Sequence, residues 1–132
     1  MYLLDTNVCI HLLNNKHSQI EANFRQHSPA DLALCSVVKA ELLFGARHSQ
    51  KVEQNLQRLN AFFQPLNSLP FDDKCADEYG LIRAGLSHQG NIIGPNDLLI
   101  ASIAKAHDVV LVTNNTDEFS RVAGLRMVDW QT

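Results

Sequence analysis

The run Asp108-Val109-Val110-Leu111-Val112 is the clearest strand in the chain, and its surroundings decide the fold. It is short, apolar and rich in β-branched residues, which suits a strand inside a covered sheet. Just upstream, Gly94-Pro95 opens an apolar helix through Leu98-Leu99-Ile100-Ala101 to about Ala106, with proline at the first turn, where its missing N–H costs nothing. Downstream, Asn114-Asn115-Thr116 starts a short helical turn, and Leu125 to Val128 reads as a last strand before Trp130.

The same alternation extends back to the N-terminus. Tyr2 to Leu4 is a short apolar run cut off by Asp5-Thr6-Asn7, and a helix follows with Val8, Ile10, Leu12 and Leu13 on its apolar side. A second helix is predicted over Gln19 to Gln26, then a buried strand over Leu32 to Cys35. Ser36 reads as the N-cap of a helix from Val37 to about Arg47. Helical residues continue from Lys51 to Phe63 and end at Pro65. Leu66 to Leu69 reads as another strand. A helix runs from Asp72 or Asp73 to about His88, with Gly90 as its stop. Short strands alternating with longer helices predict an α/β fold: a mostly parallel central sheet flanked by helices. In such a sheet the ligand site lies at the carboxyl ends of the strands.

The totals agree with one folded unit. At 132 residues, 45% apolar and 19% charged, the chain resembles a globular protein rather than a disordered one. No repeat, low-complexity tract or linker divides it, so residues 1–132 read as a single domain. No apolar stretch approaches the roughly 20 residues needed to span a bilayer. The first apolar run stops at Asp5, far short of a secretory leader, so the expected location is the cytoplasm. Cys9, Cys35 and Cys75 form no C-x-x-C pair and read as reduced, buried thiols. The net charge of −3 offers no basic footprint for nucleic acid. A carboxylate cluster that holds metal, however, makes the metal-free charge a poor guide to the field a substrate meets.

Such a cluster is what the acidic residues suggest. Asp5 directly follows the first strand. Glu41 sits in the mainly apolar Val37-Val38-Lys39-Ala40-Glu41-Leu42-Leu43-Phe44. Asp97 lies in the first turn of an apolar helix, and Glu118 comes just after the strongest strand, beside Phe119. Each can point toward the same end of a sheet. Carboxylates gathered together repel one another, and a divalent cation relieves that repulsion. Bound there, it lowers the pKa of a water and stabilises the charge growing on a phosphodiester. Taken singly, each acid has a plainer reading: Asp5 as a helix cap, Asp97 as a partner of the helix dipole, Glu41 and Glu118 as solvated charge.

The sequences around these acids carry a resemblance. Leu3-Leu4-Asp5-Thr6-Asn7, Ser36 to Ala46 around Glu41, Gly94-Pro95-Asn96-Asp97-Leu98-Leu99-Ile100-Ala101, and Val112 to Phe119 resemble, in order and spacing, the four motifs of PIN-domain nucleases. The terminal Asp129-Trp130 fits as well, and the similarity is closest to the VapC toxins of VapBC toxin–antitoxin pairs. The resemblance implies a Mg²⁺- or Mn²⁺-dependent endoribonuclease that cuts structured RNA, a tRNA and in enteric relatives the initiator tRNA, and so halts translation and growth. It implies a homodimer silenced by a VapB-type antitoxin in a larger complex, with no membrane partner. By motif, Asp5 and Asp97 carry over as metal ligands, Glu41 as a direct or water-mediated ligand, and Glu118 as the fourth catalytic acid, with Asp117 beside it as the alternative. Thr6, Asn7, Thr113 and Asn115 match polar positions that orient ligands or water. The segment Gly90-Asn91-Ile92-Ile93 departs from the family by lacking a basic residue after the glycine. Arg83, Lys39, Arg47 and Lys51 are left as candidates to hold phosphates.

Other readings compete. An aspartate-nucleophile phosphatase also opens on an acid after a strand, but it needs a second acid where Asn7 stands. A catalytically silent PIN fold acting only as a protein-binding module would be favoured by loss of one of the acids. None of the six histidines makes a metal-ligand spacing with another, and Phe62, Phe63 and Phe71 read as core or dimer contacts.

Overall fold

A computed structural model describes residues 1–132. Five strands form one sheet in the order β3-β2-β1-β4-β5: β1 (Tyr2–Leu4), β2 (Leu32–Cys35), β3 (Asn67–Leu69), β4 (Val110–Val112) and β5 (Met127–Val128). Every pairing is parallel, with Leu3 opposite both Ala33 and Leu111. Seven helices connect them: α1 (Thr6–Asn14), α2 (Ser18–Arg25), α3 (Ser36–Arg47), α4 (Val52–Phe63), α5 (Asp73–His88), α6 (Pro95–Ala106) and α7 (Thr116–Phe119). No helix is long and apolar enough to cross a membrane.

The central strands are apolar because helices cover both of their faces. Leu3, Leu4, Ala33, Leu34, Leu111 and Val112 are all fully buried, and α6 packs Leu98, Ile100, Ala101, Ile103 and Ala104 into the same core. Strand order runs one way from β1 through β2 to β3, and the other way through β4 to β5. The direction in which successive strands are added to the sheet therefore switches between β1 and β4, which run parallel. Two connections diverge there and leave a crevice at the carboxyl ends of the two strands. Asp5 and Thr113 are the first residues beyond those ends.

Most predicted elements are present, with informative differences. Ser36 is the first helical residue of α3 and not its cap; Cys35 stands at that position without a side-chain bond. The second helix starts one residue earlier than expected, with His17 Nδ1 accepting from Ile20 N–H. On α1, Cys9 rather than Ile10 faces the core, and Ile10 is 40% exposed. The strand predicted from Asp108 begins only at Val110, because Asp108 adopts φ 53°, in the left-handed region. All three cysteines are free and buried.

Candidate active site

Asp5 is fixed from three directions. Its N–H continues the sheet to Val112 O at 2.9 Å. Its Oδ1 accepts Thr6 N–H at 2.8 Å, so it does cap α1. Its Oδ2 accepts the Thr113 hydroxyl at 2.8 Å across the β1–β4 crevice. The side chain is buried, and that burial raises its pKa. The Thr113 and Thr6 bonds work against the rise, while the charges of Glu41 and Glu118 add to it. The plain reading as a cap and the functional reading are thus both true of one side chain.

The other three acids converge on it. Glu41 reaches in from α3 and accepts the Thr6 hydroxyl at 2.9 Å. Asp97 enters from the first turn of α6. Asn115 Nδ2 donates both to Asp97 Oδ2 at 3.2 Å and to Glu118 Oε2 at 2.9 Å, so a single amide ties two carboxylates together. The Asn115 N–H donates to Thr113 Oγ1 at 3.0 Å, which closes a continuous chain of bonds from Asp5 to Glu118. The other oxygen of Glu118 accepts the N–H of Gly94, the residue that caps α6. A Cβ at Gly94 would lie 3.3 Å from that oxygen, so a larger residue there would press on the Glu118 carboxylate.

These surroundings shift the acids in opposite directions. Burial, then the charges of Asp5 and Glu118, pushes Asp97 up to about 7. Glu118 moves down, chiefly through the Gly94 N–H, with help from Asn115, Asp97 and Arg121. The two shifts run in opposite senses, so Asp97 is the acid that keeps its proton to higher pH and Glu118 the one that loses it first. No lysine or arginine pairs with any of the four acids: the two ion pairs of the chain are Arg25–Glu21 and Arg126–Asp108. A set of oxygen donors, partly buried and lacking a cation of its own, suits a hard divalent ion such as Mg²⁺ or Mn²⁺.

The structure separates residues that the sequence left equal. Glu118, and not Asp117, faces the cluster; Asp117 is exposed. Thr6, Thr113 and Asn115 all bond to acids, whereas Asn7 is exposed and makes no such bond. Of the basic candidates, Lys39 turns away to Ser68 and the Phe63 ring, and Arg83 lies over Tyr79. Arg47 and Lys51 are exposed, outside the bonded network. Two arginines that the sequence did not single out stand nearer. Arg58 shares with Thr6 and Glu41 a groove of about 330 Å³, where it donates to Leu13 O. Arg121 donates to Ile92 O at 3.1 Å, and its charge reaches Glu118.

A parallel sheet with carboxylates gathered at its switch point defines a class. The PIN domain model matches residues 2–125, and the chain belongs to the PIN-domain family. The relatives narrow this further. The chain is 40% identical over 129 residues to the tRNA(fMet)-specific endonuclease VapC of Shigella flexneri, covering 98% of this chain and 97% of that one. It is also 40% identical to ribonuclease VapC2 of Rickettsia felis, covering 98% of each. Among solved structures, VapBC2 of Rickettsia felis, bound to a DNA fragment from the VapBC2 promoter, superposes with a TM-score of 0.91 at 40% identity over 98% of both chains. DNA-bound VapBC from Salmonella typhimurium matches with the same TM-score at 37% identity, over 98% of this chain and 97% of that one. Within the PIN-domain nucleases, which depend on metal, the chain groups with the VapC ribonucleases.

Proposed function

We propose that this single-domain ribonuclease, residues 1–132, is the toxin of a toxin–antitoxin pair, and that its site is the cluster of Asp5, Glu41, Asp97 and Glu118. The proposed substrate is a tRNA, with initiator tRNA first among candidates, given the specificity named for the Shigella relative. The proposed cofactor is Mg²⁺ or Mn²⁺, and the proposed location is the cytoplasm. The partner is a VapB-type antitoxin, as the VapBC complexes suggest, on a toxin homodimer. The observation that carries this reading is the convergence of four carboxylates from four separate elements on the β1–β4 crevice.

Asp5 and Asp97 would hold the metal, with Glu41 completing the pocket. When bound, the ion supplies a water of lowered pKa and stabilises charge on the scissile phosphate. The chain's own residues do the positioning. Thr113 and Thr6 N–H hold both Asp5 oxygens in fixed directions. Thr6 aims Glu41, and Asn115 keeps Asp97 beside Glu118. Glu118, held ionised by Gly94 N–H, is placed to orient water rather than to compete for the proton on Asp97.

The deciding experiment incubates purified protein with total cellular RNA in Mg²⁺ or in chelator, beside Asp97→Asn. Discrete fragments that need both metal and Asp97 support the reading, and mapping their ends names the target. Intact RNA with well-folded, antitoxin-free protein would overturn it.

Two further results are expected. Metal must displace the proton that Asp97 holds up to a pH of about 7. Mg²⁺ affinity, measured by calorimetry, should therefore be flat above that pH and fall by up to about tenfold per unit below it. A constant affinity between about pH 5 and 7 would contradict this assignment of the proton. Next, Glu118→Gln should cut the cleavage rate at least roughly tenfold, whereas Asp117→Asn should leave it within about twofold, since only Glu118 meets the cluster. Equal loss in both variants, read by single-turnover kinetics, would show that the α7 acids act only through their charge.

A further inference from the structure

A second group of metal-binding side chains lies at the far end of α6. His107 caps α6 ten residues beyond Asp97, about 15 Å along the helix axis. Asp72 caps α5, and Cys75 sits in the first turn of α5. The carboxylate of Asp72, the thiol of Cys75 and the imidazole of His107 lie within 4.8 Å of one another. No other set of three or more histidine, cysteine or acidic donors in the chain is gathered so closely, the active-site carboxylates included.

A fourth donor stands among them. The Pro70 carbonyl oxygen accepts from Cys75 Sγ at 3.5 Å and meets His107 Nε2 at 3.4 Å. In tetrahedral zinc sites the bonds are about 2.3 Å to sulfur and 2.0–2.2 Å to nitrogen or oxygen, which puts neighbouring donors roughly 3.3–3.7 Å apart. Two edges of such a tetrahedron are therefore already at length. The His107 contact is long for an N–H···O bond and a thiol is a weak donor, so exchanging both for metal bonds gives up little. Asp72 is exposed and His107 half-exposed, so an ion has a way in; Cys75 is fully buried and forms the floor. One Asp72 oxygen accepts Cys75 N–H at 3.2 Å, which holds the carboxylate over the thiol.

We propose that Asp72, Cys75 and His107, with the Pro70 carbonyl, form a binding site for Zn²⁺ or a cation of similar softness, distinct from the carboxylate cluster. Sulfur and imidazole nitrogen select this class of ion, whereas an all-oxygen set selects Mg²⁺ or Mn²⁺. On binding, the Cys75 proton leaves to solvent as the metal–thiolate bond forms. The ion joins the start of α5 to the end of α6, the helix whose first turn carries Asp97, and acts as a structural clip on the scaffold of the site.

Co²⁺ is the probe, because thiolate-to-cobalt charge transfer absorbs in the near ultraviolet and a carboxylate cluster cannot produce that band. The full chain, reduced and metal-free, should show the band on stoichiometric addition of Co²⁺ and lose it when Zn²⁺ displaces the probe. Cys75→Ser should abolish the band. His107→Ala, at a half-exposed helix end where folding is not at risk, should weaken Co²⁺ binding by more than the roughly 10–100-fold that loss of an outer-sphere partner costs. Asp97→Asn should keep the band intact, which separates this site from the nuclease centre. Absence of the band in the wild-type chain, its survival in Cys75→Ser, or unchanged affinity in His107→Ala would each overturn the proposal.

Discussion

Asp97→Asn is expected to lower RNA cleavage by roughly 10³-fold or more while making the metal-free protein more stable. The first effect follows from the proposed role. A metal that generates the nucleophile and steadies the phosphate is worth several kcal/mol of barrier, and each 1.4 kcal/mol or so is a factor of ten in rate. The second effect has the opposite sign because of the acid's surroundings. Burial and the charges of Asp5 and Glu118 hold Asp97 up to about 7, against 3.8 for an unperturbed carboxyl. Between those values the folded chain keeps a proton that the unfolded chain has lost, so stability falls as pH rises through that window. Above it, the wild-type protein carries an ionised carboxylate its neighbours disfavour. Asparagine removes that charge and keeps a carbonyl oxygen to accept from Asn115. The melting temperature of the metal-free variant should then exceed that of wild type at pH 8, and the difference should vanish near pH 4. Added Mg²⁺ should raise the melting point of wild type alone, since binding to the folded state stabilises it by mass action. A variant that lost activity together with stability at pH 8 would point to a structural role for Asp97.

The same unfavourable placement of the acids is why the candidate cluster was legible in the sequence. An acid directly after an apolar strand, or inside an apolar helix, conflicts with burial, and such conflicts gather at functional sites. Asp5, Glu41 and Asp97 each broke the local pattern, and Glu118 was a fourth candidate because it comes just after the strongest strand. The strands were legible because both faces are covered, which leaves unbroken apolar runs in β1, β2 and β4. What escaped was the azimuth of side chains on short helices. Successive residues on a helix point about 100° apart, so Lys39 and Glu41, two residues apart, leave α3 on different sides. The same rule splits Thr6 from Asn7 and Glu118 from Asp117. Asn115 and Glu118, three apart, meet on one face. Contacts between distant segments escaped altogether. Nothing near Arg58 or Arg121 marks them as neighbours of the acids, and Cys75 and His107 have no motif spacing; only the packing of α5 on α6 brings them together.

Phe119→Ala is expected to cost about 3–5 kcal/mol, the range for emptying a buried aromatic site. Phe119 is fully buried and among the largest side chains in the core. Its position makes the loss more than a cavity. Helix α7 has only four residues, too few to hold itself together. Its backbone bonds are few, Phe119 N–H to Asn115 O at 3.2 Å and Ser120 N–H to Thr116 O at 2.9 Å among them. The Phe119 ring is therefore what anchors α7 in the core, and with it the Glu118 carboxylate that bridges Asn115 and Gly94. A loss of this size is a large share of the roughly 5–15 kcal/mol that holds a domain folded. Urea unfolding should show it as a lowered midpoint with the slope unchanged. Cleavage, measured at a temperature where the variant is still folded, should fall as well, because a loosened α7 frees Glu118 and Asn115 together. Phe119→Leu, which refills most of the cavity, should recover most of both losses. If Phe119→Ala lost stability yet cleaved RNA as fast as wild type, Asp5, Glu41 and Asp97 would be sufficient, and the fourth acid would be a tether between α7 and the start of α6 rather than part of the chemistry.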